Sequence, residues 1–189
     1  MQLFVALIHY PVYNRRREVV CTAITNLDIH DIARACRAYG AQGFLIVNPL
    51  ERQRWLLERI LRHWTEGYGA IAHPNRREAM GVVHWVETLE KALGWVEDRC
   101  GSVPVTVATT ARSWPGAVSF EEMRQNLARA SDPFMILFGT GWGLADEVIK
   151  GATYVLEPIL PKAGYNHLSV RSAAAVVLDR LVGDRWGDS

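Results

Sequence analysis

Pro133-Phe-Met-Ile-Leu-Phe-Gly-Thr-Gly-Trp-Gly-Leu-Ala-Asp-Glu147 joins an unbroken apolar run to glycines at three alternate positions, Gly139, Gly141 and Gly143. A short apolar run stopped by glycine reads as a strand buried on both faces. Leu144-Ala-Asp-Glu-Val-Ile149 then opens a helix, so the layout is strand, glycine loop, helix. Glycine lets backbone amides and carbonyls approach a ligand with no Cβ between them. In an open α/β sheet, ligands sit beyond the carboxyl ends of the strands, which is where this loop falls. It lacks both the G-x-G-x-x-G spacing of a dinucleotide fold and the Gly-Lys-Ser/Thr of a P-loop. Taken alone, it also reads as a tight turn with no ligand.

Working outward, strands and helices alternate. Leu3–Ile8 is a buried strand ended by Pro11, and 12–20 holds a polar turn, Asn14-Arg-Arg-Arg-Glu18, between short extended pieces. Residues 28–39 form a helix with Ile29, Ile32, Ala33 and Cys36 on one face, closed by Gly40. Gly43–Val47 is a strand and Glu51–Thr65 a helix with Leu56, Leu57, Ile60, Leu61 and Trp64 turned inward. A loop over 67–75, a strand over 82–85, a helix over 88–100 and a strand over 103–108 follow. The polar loop 109–116 leads to a capping box, Ser119-Phe-Glu-Glu122, and another helix. Beyond the glycine loop come a strand at 153–156, an irregular loop at 157–167 and a helix at 169–181. The alternation predicts one α/β domain over 1–189, a mostly parallel six-stranded sheet with helices on both faces.

Composition narrows the function. With 49% hydrophobic and 22% charged residues the chain can fill one core, and a net charge of +1 gives no global attraction to nucleic acid. Arginine supplies 18 of the 21 basic residues, which suits bidentate phosphate contacts or reflects coding bias. Cys21, Cys36 and Cys100 form no C-x-x-C pair, so neither a disulfide framework nor a metal site is expected. The apolar start is too short to span a membrane and has no charged leader, so a cytoplasmic protein is expected.

His30, Arg34 and Arg37 fall at i, i+4, i+7 as a cationic stripe beside the apolar face of the first helix. Arg34 reads equally as a phosphate ligand or a solvated side chain. Asn26, Asp28 and Asp31 cluster at that helix's start, where carboxylates also favour the helix dipole. In Leu156-Glu-Pro-Ile-Leu-Pro-Lys-Ala-Gly-Tyr-Asn-His-Leu-Ser169, two further prolines and a glycine force a long loop before a small-residue helix. Ser169 or Ser172 is a natural N-cap there, Asn166 a turn residue, and Ala173 to Ala175 permit close helix packing.

Together these stretches resemble the SPOUT superfamily of S-adenosylmethionine-dependent RNA methyltransferases. Arg34-Ala-Cys-Arg-Ala-Tyr-Gly40 is similar to its first motif, Ile136-Leu-Phe-Gly-Thr-Gly-Trp-Gly-Leu-Ala-Asp-Glu147 to its second, and Leu168-Ser-Val-Arg-Ser-Ala-Ala-Ala-Val-Val-Leu178 to its third. Thr25-Asn-Leu-Asp-Ile-His-Asp-Ile-Ala-Arg34 and Tyr165-Asn-His-Leu-Ser-Val-Arg-Ser172 resemble the form found alone or C-terminal to bacterial tRNA (guanine-N1) methyltransferases. The resemblance implies a C-terminal trefoil knot, a homodimer, and tRNA or rRNA as partner. It implies that Phe138, Gly139, Gly141, Leu160, Asn166 and Leu168 surround S-adenosylmethionine. Arg34 would hold an RNA phosphate or stabilise charge on the acceptor. Ser169, His167, Asp28 or Asp31 would orient or deprotonate it, imidazole being the usual proton carrier near neutral pH. Asp28 and His167 stand where ribose methyltransferases of the superfamily usually carry Asn, so ribose and base stay open as targets. Those two departures also leave a rival, a module that keeps the cofactor pocket and only docks RNA or a partner enzyme.

Overall fold

The computed structural model describes residues 1–184; residues 185–189 of the expected domain lie outside them. In chain order the elements are β1 (Leu3–Ile8), β2 (Val12–Tyr13), β3 (Val19–Val20), α1 (Asn26–Ala38), β4 (Gly43–Val47), α2 (Glu51–Thr65), α3 (Tyr68–Ala72) and α4 (Pro74–Met80). Then come β5 (Val83–Val86), α5 (Leu89–Cys100), β6 (Val105–Ala108), α6 (Phe120–Arg129), β7 (Phe134–Gly139), α7 (Asp146–Gly151), β8 (Tyr154–Val155) and α8 (Val170–Val182). Six strands pair in the order β5-β4-β1-β7-β6-β8, every pairing parallel, while β2 and β3 form a separate antiparallel hairpin.

The pleat sends alternate side chains of each strand to opposite faces. Leu3, Val5 and Leu7 of β1 pack with residues of α1, α2, α6 and α8. Phe4, Ala6 and Ile8 pack on the other face with α5 and α7. Both faces are covered, which is why β1 and the first five residues of β7 are buried without alternation. On α1, Ile29, Ile32, Ala33 and Cys36 are all buried, as the spacing requires. Thr25 caps this helix by accepting the Asp28 N–H, and Gly40 leaves it with φ of 74°.

The segment expected as a loop over 67–75 is instead helical. Pro74 stands at the first position of α4, where its missing N–H costs nothing, so it starts a helix rather than breaking one. His73 ends α3 and precedes α4. Gly69 is required by close packing: a Cβ there would lie 2.6 Å from the Trp64 ring. Leu56, expected inward, is exposed. Leu57, Ile60, Leu61 and Trp64 already fill the i, i+3, i+4, i+7 stripe, and Leu56 is turned about 100° away from Leu57.

From β1 the chain lays β4 and β5 on one side, then crosses to place β6, β7 and β8 on the other. The β1/β7 boundary is therefore the place where the winding reverses. The carboxyl ends of β1 and β7 open into the hairpin and the glycine loop, the position at which open α/β sheets bind ligands.

Candidate active site

The glycine loop is zipped onto the β1–β2 segment. The amides of Thr140, Trp142 and Ala145 donate to the carbonyls of Ile8, Tyr13 and Pro11, and Tyr13 N–H donates to Gly143 O. A Cβ on Gly139 would sit 2.5 Å from the Leu144 nitrogen; one on Gly141 would sit 2.9 Å from the Tyr13 carbonyl oxygen. Gly141 also has a φ of 59°. What demands glycine at 139 and 141 is thus the protein's own backbone. That is a reason for glycine the sequence did not show, beside the expected approach of a ligand. The Phe138 side chain is buried in the core beneath the loop.

Two further loops meet this edge. After β8, Leu156 donates to Ala108 O and Glu157 N–H to Val118 O, while the Glu157 carboxylate accepts the Phe120 N–H at 2.8 Å. Farther along, the Asn166 side-chain amide donates to Ala111 O at 2.8 Å. The long loop is therefore pinned to both ends of the segment that follows β6. Asp146, at the start of α7, accepts hydrogen bonds from Arg112 at 2.9 Å and Arg17 at 3.4 Å. The Arg112 hydrogen bond holds its carboxyl below the usual carboxylate range, helped by the charges of Arg112, Arg17 and Lys150 against a small burial penalty.

The acceptor-handling candidates are split. Ser169 is the N-cap of α8: its hydroxyl accepts the Ser172 N–H and lies 3.1 Å from the Ser172 hydroxyl. Arg171, two residues on, reaches α1, with Asp28 at 3.6 Å and Asp31 at 3.5 Å. Arg171 thus ties the start of α8 to that of α1 at a junction of two helix N-termini, with the Asp28 carboxylate already occupied by its guanidinium. His167 is exposed, its ring set edge-on to Tyr165 at 5.4 Å. Arg34 lines a different cleft, bounded by Ala72, His73, Pro74, Asn75 and Arg76. The stripe of His30, Arg34 and Arg37 is likewise broken up, since Arg37 pairs with Glu78 and His30 packs on Trp64.

One group escaped sequence reasoning. His9 and Thr140 are fully or almost fully buried at the carboxyl ends of β1 and β7. Thr22 bridges them, 2.9 Å from His9 Nδ1 and 2.5 Å from the Thr140 hydroxyl. Asn48 donates to Thr22 O and accepts the Leu50 N–H. A histidine ending the apolar run Leu3–Ile8 was the available signal, because polar side chains at strand carboxyl ends face the ligand edge.

S-adenosylmethionine brings an adenine with a polar edge and a flat apolar face. Leu160 and Leu168 offer exposed apolar side chains, and their backbone amides meet no acceptor among the described residues. A base edge in need of donors and an apolar contact fits these loops. No cluster of His, Cys, Asp or Glu suited to a metal occurs among the described residues, and no helix among them is long and apolar enough to cross a membrane.

Comparison with known proteins agrees with this geometry. A tRNA (guanine-N(1)-)-methyltransferase of Oleidesulfovibrio alaskensis is 46% identical over 182 residues, which is 96% of this chain and 42% of that protein. This chain therefore spans less than half the length of that relative. An uncharacterized protein of Aquifex aeolicus is 36% identical over 95% of this chain and 87% of its own length. Among solved structures, TrmJ from Z. mobilis ZM4 shares the fold, with a TM-score of 0.63 and 16% identity over 98% of this chain and 70% of that one. The SpoU methyltransferase AviRb from Streptomyces viridochromogenes shares it too, with a TM-score of 0.57 and 17% identity over 96% of this chain and 58% of that one. The model of the SAM-dependent RNA methyltransferase family matches residues 2–183, and this chain belongs to that family.

Proposed function

We propose that this protein transfers a methyl group from S-adenosylmethionine to a ribose oxygen or base nitrogen of tRNA or rRNA. It does so in the cytoplasm, as a single catalytic domain. The observation that carries the reading is the meeting of three loops, after β6, β7 and β8, at the carboxyl edge of the sheet in a chain of this family. The tRNA reading is supported by the name of the 46% identical relative.

When bound, the cofactor supplies a methyl group already activated on its sulfonium. The protein's part is alignment and proton handling. Leu160, Leu168 and the backbone around Phe138, Gly139 and Gly141 hold the adenosine, with Asn166 fixing one loop against another. Ser169 orients the acceptor from a hydroxyl already held by Ser172, and His167 takes its proton. Asp28 acts by holding Arg171 against the same helix junction. Calorimetry with S-adenosylhomocysteine tests the cofactor site; no heat at millimolar ligand removes the reading. Labelled S-adenosylmethionine with total cellular RNA tests transfer. A protein that binds the cofactor and labels no RNA is a docking module instead.

A homodimer is part of this proposal. Within one chain Arg34 faces the α3–α4 cleft rather than the loops that hold Ser169. Leu27 on α1 and Leu168, just before α8, leave apolar side chains exposed beside the two helix N-termini that Arg171 joins. A second copy seated there would cover that surface and bring its own Arg34 to the site. If Arg34 acts across the dimer, Arg34→Ala and Ser169→Ala proteins mixed one to one should regain about a quarter of wild-type activity, because half the dimers carry one intact site. No recovery, or a monomer by light scattering, refutes the shared site.

The knot belongs to the same reading. The loop after β8 is pinned at Ala111 and Phe120, on either side of the segment that a threaded α8 would have to pass. Pulled from its two ends, a knotted chain stops short of its full contour length. Full extension in a single-molecule experiment would exclude threading.

A further inference from the structure

We propose that the outward face of α2 takes an unpaired stretch of the RNA beside the target nucleotide, one base stacking on Trp55 while Arg52, Arg59 and Arg62 hold its phosphates. The inference rests on the RNA reading above and adds to it where the strand runs and in what form. A helix turns by about 100° per residue, so Arg52, Trp55, Leu56, Arg59, Arg62 and His63 fall within an arc of about 120°. All six are exposed. Leu57, Ile60, Leu61 and Trp64 occupy the core side, and α2 packs on α3, α4 and β5.

The charges of α2 are sorted between two flanks. Glu51 and Glu58, the carboxylates of this helix, lie outside that arc, and both pair with Arg54, at 3.9 Å and 2.9 Å. Among the described residues Arg52, Arg59 and Arg62 meet no carboxylate, so three guanidinium groups stand in solvent without a countercharge. Arg52 and Arg62 are about 15 Å apart along the axis, which leaves room for more than one backbone phosphate. A guanidinium offers its donors in a planar fork that matches a phosphate.

Trp55 gives the face its selectivity. It is 58% exposed, although a large apolar ring is costly to leave in water. The Arg59 guanidinium lies 4.8 Å from its ring centre, and no other ring meets it among the described residues. The indole is thus steadied by one cation and open to a second flat partner. In a duplex the bases are stacked on one another, so only an unpaired base can use such a ring. A protein partner would have to bring carboxylates for three arginines as well as an apolar patch. A single strand of RNA carries both the charge and the planes.

The face is continuous with the reaction edge. Asn48, in the turn that leads to α2, donates to Thr22 O, and Gln53 in the first turn accepts the Ile24 N–H at 2.7 Å. Thr22 in turn meets Thr140, where the glycine loop begins. The start of α2 is therefore tied to the edge at which the loops converge, and a strand leaving that edge has the Arg52 end of the helix beside it.

Binding of a fluorescent mixed-sequence RNA oligonucleotide, single-stranded or annealed to its complement, tests this across a salt series, with bulk tRNA alongside. The variants are Trp55→Leu and a double variant, Arg52→Gln with Arg62→Gln, all at exposed positions. Both should keep the melting temperature and the S-adenosylhomocysteine affinity of wild type. Wild type should prefer the single strand to the duplex. Trp55→Leu should lower single-strand affinity about tenfold and leave the salt slope alone, since stacking releases no counterions. The arginine variant should lower the slope of log K against log salt by about 1.4, two phosphates at about 0.7 each. Unchanged affinity and slope in both variants, with wild type binding tRNA, overturns this face and leaves the RNA reading standing. Duplex bound as tightly as single strand, with Trp55→Leu unaffected, overturns the stacking and the proposal with it. A wild type that binds neither oligonucleotide nor tRNA overturns the RNA reading as well. RNA binding unchanged in both variants, with a self-association that Trp55→Leu abolishes in light scattering, assigns the face to a second copy of the chain instead.

Discussion

Gly139→Ala is expected to cost about 3 kcal/mol of stability and to weaken S-adenosylhomocysteine binding by roughly tenfold or more. The new Cβ would fall 2.5 Å from the Leu144 nitrogen and 2.9 Å from the Gly143 carbonyl carbon, both backbone atoms. A side chain can rotate out of the way; these atoms can only move with the loop. Gly143 O accepts the Tyr13 N–H, and Ala145 N–H donates to Pro11 O, so a displaced loop also loses its seam with the hairpin. Gly94→Ala gives the contrast. Gly94 lies inside α5 with nothing within 4 Å of its would-be Cβ. There the methyl group should raise stability by about 0.5–1 kcal/mol through reduced chain entropy. Thermal melts and calorimetry of the two variants check both signs. Wild-type melting and binding in Gly139→Ala would show that the loop's path is not set by backbone contact.

Local periodicity explains what the sequence made legible. The four buried residues of α1 and its Gly40 terminus follow from a 3.6-residue repeat and one glycine, and unbroken apolar runs fix β1 and β7 as central strands. The α3–α4 segment escaped because Pro74 and Gly67 look alike in a loop and at helix starts; the packing of Gly69 on Trp64 separates the cases. The glycine loop was legible as a loop at the sheet edge, but the reason for its glycines was not. The carbonyl that Gly141 touches belongs to Tyr13, far away in the chain. The same distance hid the fates of Asp28 and Arg34. Arg171 and the 72–76 segment reach them only through the packing of α1 against α8 and α4.

The buried His9 should make this protein lose stability as pH falls from about 6.5 to about 4. Hydrogen-bond bookkeeping fixes its state. The Thr140 hydroxyl donates to Ile8 O at 3.1 Å, so the Thr22 hydroxyl must donate to Thr140. His9 Nδ1 must then donate to Thr22, which leaves Nε2 as a bare lone pair. Nε2 is buried and meets no partner, so a proton added there would be a charged N–H with nothing to receive it. Burial accordingly lowers the His9 pKa from 6.5 to about 4, against a raising contribution from Thr22. Between those values the unfolded chain binds a proton that the folded chain refuses, so stability is full above 6.5 and drains as pH falls. A shift of that size corresponds to about 3 kcal/mol. His30 and His84, whose pKa values burial also lowers, add to the slope in the same direction. Asp146 adds its own loss only at lower pH, below the ordinary carboxylate value of 3.8. His9→Gln keeps an amide donor near Thr22 and cannot titrate, so urea unfolding of this variant should show a much shallower fall across the window. The glycine loop begins at Thr140, so S-adenosylhomocysteine affinity should drop over the same window in wild type and less in the variant. Equal slopes for both proteins would mean that His9 is protonated inside the fold, with an acceptor for Nε2 that this packing does not provide.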